Sequence, residues 1–218
     1  MHERLNRGIF LGIIGNVLFI TFGLICYLFY ISYEGESVHS RILEISAYIT
    51  EFSGFIVLIY SSWLMFSAIR MRSWLKFGFS AYILLEAVMM FLEINTAKFS
   101  FYAPYSLGLA IFHSVLSAAV CFSFVQFDPN NSKLEVVVIV CTGIMLGGMF
   151  GNIMGIRVYF SIISNAVGFS ILFAALRYLL RREEVEIDCH GDKARVSEYS
   201  SSVFFGETDN KKDNNKKD

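Results

Sequence analysis

Aspartate is missing from the chain until Asp128, and this absence excludes an aspartyl dyad within the apolar segments that precede it. The sequence holds no His-Glu-x-x-His, Gly-x-Ser-x-Gly or Gly-Lys-Ser/Thr. The zinc-protease helix, the hydrolase nucleophile elbow and the phosphate-binding loop are therefore absent. Of the 4 histidines only His113 lies in an apolar segment, so a haem held by two intramembrane histidines is excluded. Cys26, Cys121 and Cys141 fall in apolar segments and Cys189 in a polar tail, which gives neither a disulfide framework nor a Cys-x-x-Cys pair. No basic stripe points to nucleic acid. No cofactor or metal is expected, and nothing assigns a catalytic role.

What the chain has in abundance is apolar sequence. Hydrophobic residues make up 55% of it and aromatics 16%, with 22 Phe, more than a soluble domain of this size buries in unbroken runs. The hydrocarbon core of a bilayer is about 30 Å thick, so a spanning helix needs about 20 mostly apolar residues. Six such stretches are expected, near 8–33, 44–69, 77–96, 102–127, 134–154 and 157–181. The first is too long for a signal-peptide core and lacks a small-x-small cleavage site, so it is expected to stay as a span. Asp128-Pro129-Asn130-Asn131 is a strong turn signal between the fourth and fifth. Between the last two the only charge is Arg157, and a tight turn from Gly151-Asn152 to Arg157 is expected there.

The fold class is thus all-α, a polytopic membrane bundle of six spans over residues 1–182, with a polar tail over 183–218. Arg4, Arg7, Arg70, Arg72, Lys76, Lys133, Arg177, Arg181 and Arg182 fall on one side, against Arg41, Lys98 and Arg157 on the other. Cations favour the cytoplasmic side, so both termini are expected there, in the cell membrane. Trp63, Trp74 and several tyrosines fall near the expected interfaces, and Arg177 is close enough to the cytoplasmic end to reach the headgroups. The tail carries 6 Lys+Arg against 10 Asp+Glu and has no apolar residue after Gly206, so disorder is expected from there on.

Glycine marks packing faces. Gly143, Gly147, Gly151 and Gly155 recur every four residues, and Gly8, Gly12 and Gly15 form a shorter series. Positions four apart share one slowly drifting helix face, and a face without side chains lets another backbone approach closely. Close packing inside the bundle is the first expectation; a homo-oligomer interface, contact with a partner membrane protein, or a glycine-lined passage are the others. Asn16, Asn152 and Asn165 are expected to bridge helices.

Acidic groups mark a candidate site. An ionised side chain at the centre of a span costs about 2.5–3.5 kcal/mol on insertion scales, so such positions carry information. At 1.5 Å per residue Glu51 falls about 10 Å below the outer boundary. Glu86 falls near the midplane, Glu93 near the outer edge and His113 at about the depth of Glu86. Three consecutive helices thus supply substrate- or proton-binding candidates to the outer half. Low dielectric disfavours a charged carboxylate, so Glu86 is expected to exchange a proton, with His113 as relay. Ionised Glu51 and Glu93 are suited to attracting a small cationic solute. The leading expectation is a small transporter, channel or solute-binding subunit, proton-linked through this cluster. The alternative is a non-catalytic membrane sensor or assembly protein acting through its cytoplasmic tail.

Overall fold

A computed structural model describes residues 2–32, 38–69, 73–96, 104–128, 131–154 and 159–182. The tail and the connection over 155–158, on which Gly155 and Arg157 lie, fall outside the described residues. Among those described, the chain is all-helical: α1 His2–Ser32, α2 Val38–Ala68, α3 Ser73–Thr96, α4 Pro104–Ser123, α5 Ser132–Ile153 and α6 Tyr159–Arg181. A short 3-10 turn, Phe124–Phe127, extends α4. Among the described residues five stretches are long and apolar enough to cross a membrane: Glu3–Leu28, Arg41–Ala68, Gly108–Phe127, Ser132–Ile153 and Phe160–Arg181.

The breaks have local causes. At the turn between α4 and α5, the Asn131 side chain accepts from the backbone amides of Lys133 and Leu134, both at 3.2 Å. It caps α5 by satisfying amides that have no partner within the helix, a contribution of about 1 kcal/mol. The α5 helix closes at Ile153 and α6 opens at Tyr159.

Burial follows a seven-residue repeat along the helices. On α2 the buried positions include Ala47, Glu51, Gly54, Leu58, Ser61, Met65 and Ala68; on α5 they include Leu134, Val138, Cys141, Met145, Gly148 and Asn152. Alternate steps of three and four keep one stripe turned toward a neighbour in the manner of left-handed helix packing. The opposite faces are apolar as well. Ile42, Ile45, Ile49, Phe52, Ile56 and Trp63 of α2 all lie outward and exposed. A helix apolar all round, with its outer side uncovered, fits hydrocarbon as its solvent.

Contacts fix the directions of the helices. A Cβ added to Gly8 meets Met65 and Leu64, and one added to Gly15 meets Gly54 and Leu58, so α1 and α2 run antiparallel. The Ser61 hydroxyl seals this pair by donating to the Gly8 carbonyl at 2.7 Å. Gly12 lies against Phe173 of α6. Around the bundle α1 joins α2 to α6, α5 lies between α6 and α4, and α3 leans on α4; α2 and α3 meet only sparingly. At one end Arg177 donates to Asn6 at 3.0 Å and sits 4.4 Å over the Phe10 ring. The start of α1 and the end of α6 are therefore on the same side. Arg177 is thus engaged by α1.

The glycine stripe of α5 packs differently from expectation. Gly143 and Gly147 have nothing within 4 Å of an added Cβ. Close approach to α6 falls instead to Gly148, where a Cβ would come within 2.5 Å of the Ser164 side chain. Gly168 of α6 makes the reciprocal approach to Met145. The four-residue spacing defined a face, but the seven-residue stripe of buried side chains turns a neighbouring face inward. Gly151, also buried, belongs to the last turn of α5.

Candidate functional site

Tyr82, Glu86 and Met89 follow one another at steps of four and three on α3, which places all three on one face. That face looks into a cavity completed by Phe19 and Phe22 of α1, Glu51 of α2, His113 of α4, and Ile162, Asn165 and Ala166 of α6. Its volume is about 20 Å³, counted as the space a water centre can occupy. That is room for about one water molecule. The cavity lies in the half of the bundle away from Asn6 and Arg177, since α6 enters it within two turns of its start.

Glu86 and His113 form the centre of the site. Glu86 Oε1 lies 2.6 Å from Nε2 of His113, with the two side chains 12% and 4% exposed. On the far side of the imidazole, Nδ1 lies 3.0 Å from Asn165 Nδ2. An amide nitrogen only donates, so Nδ1 accepts and the ring proton sits on Nε2, directed at Glu86. The Asn165 amide also donates to the Ser114 hydroxyl at 3.3 Å. Tyr82 lies four residues before Glu86 on α3, one helical turn away. Its ring stacks on His113 with centroids 5.3 Å apart and planes inclined by 28°. Three helices thus hold one chain of polar groups running Glu86, His113, Asn165, with the Tyr82 ring stacked on the imidazole.

One acceptor in this chain is left over. Asn165 is 1% exposed, and its Oδ1 has no hydrogen-bond partner. A buried, unsatisfied carbonyl costs about 1–3 kcal/mol, so its position beside a cavity is informative.

The site unites three of the four expected side chains. Glu51, buried on α2, lines the same cavity as Glu86 and His113. Glu93 belongs to α3, but its side chain is outside the described residues. Tyr82 is an addition, as is the place of Asn165 within the site. The i, i+4 spacing of Tyr82 and Glu86 was a usable signal for the first. Asn165 was legible only as a bridging amide, because its partner is 52 positions away. Asn16 bonds the Gly12 carbonyl of its own helix at 2.7 Å, whereas Asn165 bridges α6 to α4. The two nitrogens of His113 are engaged by Glu86 and Asn165. No group of three or more His, Cys, Asp or Glu suited to a metal occurs among the described residues.

No protein-family model matches this chain, and neither a curated protein nor a solved structure matches it.

Proposed function

We propose that this protein is a small proton-linked transporter of a cationic solute, with Glu86 and His113 as the groups that take up and release the proton. The observation that carries this reading is their 2.6 Å contact, buried at the wall of a cavity that Glu51 also lines. Ionisable groups inside a span are expensive to keep and tend to mark proton relays or solute paths. A hydrogen-bonded carboxylate–imidazole pair shares its protons, and the exchange belongs to the pair rather than to either residue.

In this reading the six helices all cross the cell membrane, α3 included, and both termini are cytoplasmic. Support comes from the cation asymmetry of the sequence and from the Arg177–Asn6 contact, which puts the two described ends on one side. Any span-bearing Glu86 must shield that carboxylate from lipid, and the cavity wall does so. The site then occupies the outer half, where a cationic solute meets Glu51 and Glu86.

The test is flux. The purified chain is placed in liposomes that contain a trapped pH-sensitive dye, and gradients of sodium, potassium, choline or methylammonium are imposed in turn. At least one cation should drive a pH change that protein-free liposomes lack. A folded protein that gives no pH response to any of them would remove the reading.

A further inference from the structure

The helix α3 is held unevenly along its length. In its first half Leu75, Phe79 and Tyr82 are buried. Phe79 is gripped by rings from three elements: Phe66 of α2, Phe124 of the turn that extends α4, and Phe169 of α6, with centroids 5.8, 6.1 and 6.4 Å away. A Cβ added to Gly78 would come within 3.4 Å of Val120, so α3 also approaches α4 closely there. Among the described residues from Ile83 to Phe91 none is buried, and Leu84 and Phe91 are 66% and 65% exposed. The other helices that line the cavity each put a buried residue into its wall: Phe22 of α1, Glu51 of α2, His113 of α4 and Asn165 of α6.

In lipid this unevenness decides what can move. Hydrocarbon is as apolar as a neighbouring helix, so the half-buried Leu85, Met89 and Met90 lose little by exchanging helix contacts for lipid. Close packing and hydrogen bonds between helices are what hold a span in place. Phe79, enclosed by rings on three sides, supplies the first. Glu86 is the only polar side chain from Ile83 to Phe91, and it supplies the second by its 2.6 Å contact with Nε2 of His113. Its partner is fixed: His113 is buried, braced by Asn165 at Nδ1 and covered by the Tyr82 ring. Because α3 meets α2 only sparingly, little packing resists its movement away from α2.

We infer that α3 is the gate of the site: it pivots at Phe79, and the Glu86–His113 contact is the latch that holds its second half closed. The hinge stands on packing alone; that its opening admits the transported solute rests on the proton-linked reading. With Phe79 as the fixed point, a rise of about 1.5 Å per residue puts Glu86 about 10 Å and Phe91 about 18 Å along the lever. A tilt of about 15° therefore carries Glu86 about 3 Å, beyond hydrogen-bond reach of His113. The same tilt widens the gap between α2 and α3 on which the cavity borders. Water then reaches Met89, which lines the wall of the closed cavity. A solute that engages Glu86 in place of His113 releases the latch, so binding and opening are one event.

The test is the rate at which a charged, water-borne thiosulfonate modifies Met89→Cys in the full chain, reconstituted in liposomes. Thiols react as thiolates, which form where water reaches them. Cys26, Cys121 and Cys141 are buried, and peptide mass spectrometry separates their modification and that of Cys189 from the introduced site. Met89→Cys should react slowly while the latch is intact. Glu86→Met removes the hydrogen bond and keeps the length of the side chain, and should raise the rate at least about tenfold by populating the open state. Glu86→Gln, whose oxygen still accepts from Nε2, should stay close to the intact rate. Leu75→Cys, on the pivot side, should react slowly in all three backgrounds. A Met89→Cys rate that Glu86→Met leaves unchanged overturns the inference. So does an equal acceleration at Leu75→Cys, which would mean that the whole bundle loosens. Labelling is read here without flux: a protein whose α3 opens but that moves no proton defeats the transport reading alone, and one that moves protons while Glu86→Met leaves Met89→Cys unreactive defeats this inference alone.

Discussion

Asn165 donates its side-chain amide to Nδ1 of His113 at 3.0 Å, and in doing so decides which tautomer His113 offers to Glu86. The proton is held on Nε2, where Glu86 Oε1 receives it at 2.6 Å. A residue on α6 thereby sets the chemistry of a contact between α3 and α4.

Exchanging that donor for an acceptor inverts the arrangement. In Asn165→Asp the side chain no longer donates to Nδ1, and a doubly protonated imidazole becomes the form that satisfies both neighbours. Nitrogen NMR of histidine-labelled protein should show different ring-nitrogen signals for His113 in the wild type, where Nδ1 accepts from Asn165, and in the variant, where it cannot. The same tautomer in both would mean that Asn165 does not control the ring.

The Gly148 contact predicts an asymmetry between adjacent glycines. Gly148→Ala places a methyl group 2.5 Å from Ser164 Cβ and 3.2 Å from the Ser161 backbone, a clash that no side-chain rotation relieves. Overpacking of this kind costs about 1–3 kcal/mol. Gly147→Ala meets open space and should be neutral or stabilising, by up to about 1 kcal/mol from helix propensity. Thermal unfolding of the two variants in detergent separates them; equal losses would contradict the packing.

The α1–α6 clamp should respond to its guanidinium. Arg177→Met keeps the stem over Phe10 but removes the bond to Asn6 and the cation from the ring. A loss of about 1–3 kcal/mol is expected, since charge-assisted hydrogen bonds and cation–π contacts fall in that range. Arg177→Lys should recover only part of it, because an ammonium is a poor substitute for a planar fork. Unfolding midpoints equal to wild type in Arg177→Met would show the clamp to be idle.

Helix positions were legible because the energetic signal for them is long and redundant. Twenty or so apolar residues, broken by Asp128 or Arg157, specify a segment whichever neighbours it meets. The site was legible in part: helix rise alone brought Glu86 and His113 to similar depth. Their direct contact, and the place of Asn165 behind the ring, depend on how α3, α4 and α6 rotate about their axes, and spacing within one helix does not fix that rotation. Gly143 and Gly147 show the same limit. A repeat of four defines a face, but the neighbouring seven-residue stripe of Cys141, Met145, Gly148 and Asn152 is the one turned inward.

The most direct test of the proton role of Glu86 is the pH dependence of cation-driven flux in liposomes, compared between wild type and Glu86→Gln. Glutamine keeps the size of the side chain and an oxygen that accepts from His113 Nε2, so the fold should survive, with the unfolding midpoint as the check. The wild type should show flux that changes steeply with pH, and the variant should lose that dependence. A folded Glu86→Gln protein that kept the full pH dependence of the wild type would contradict the account.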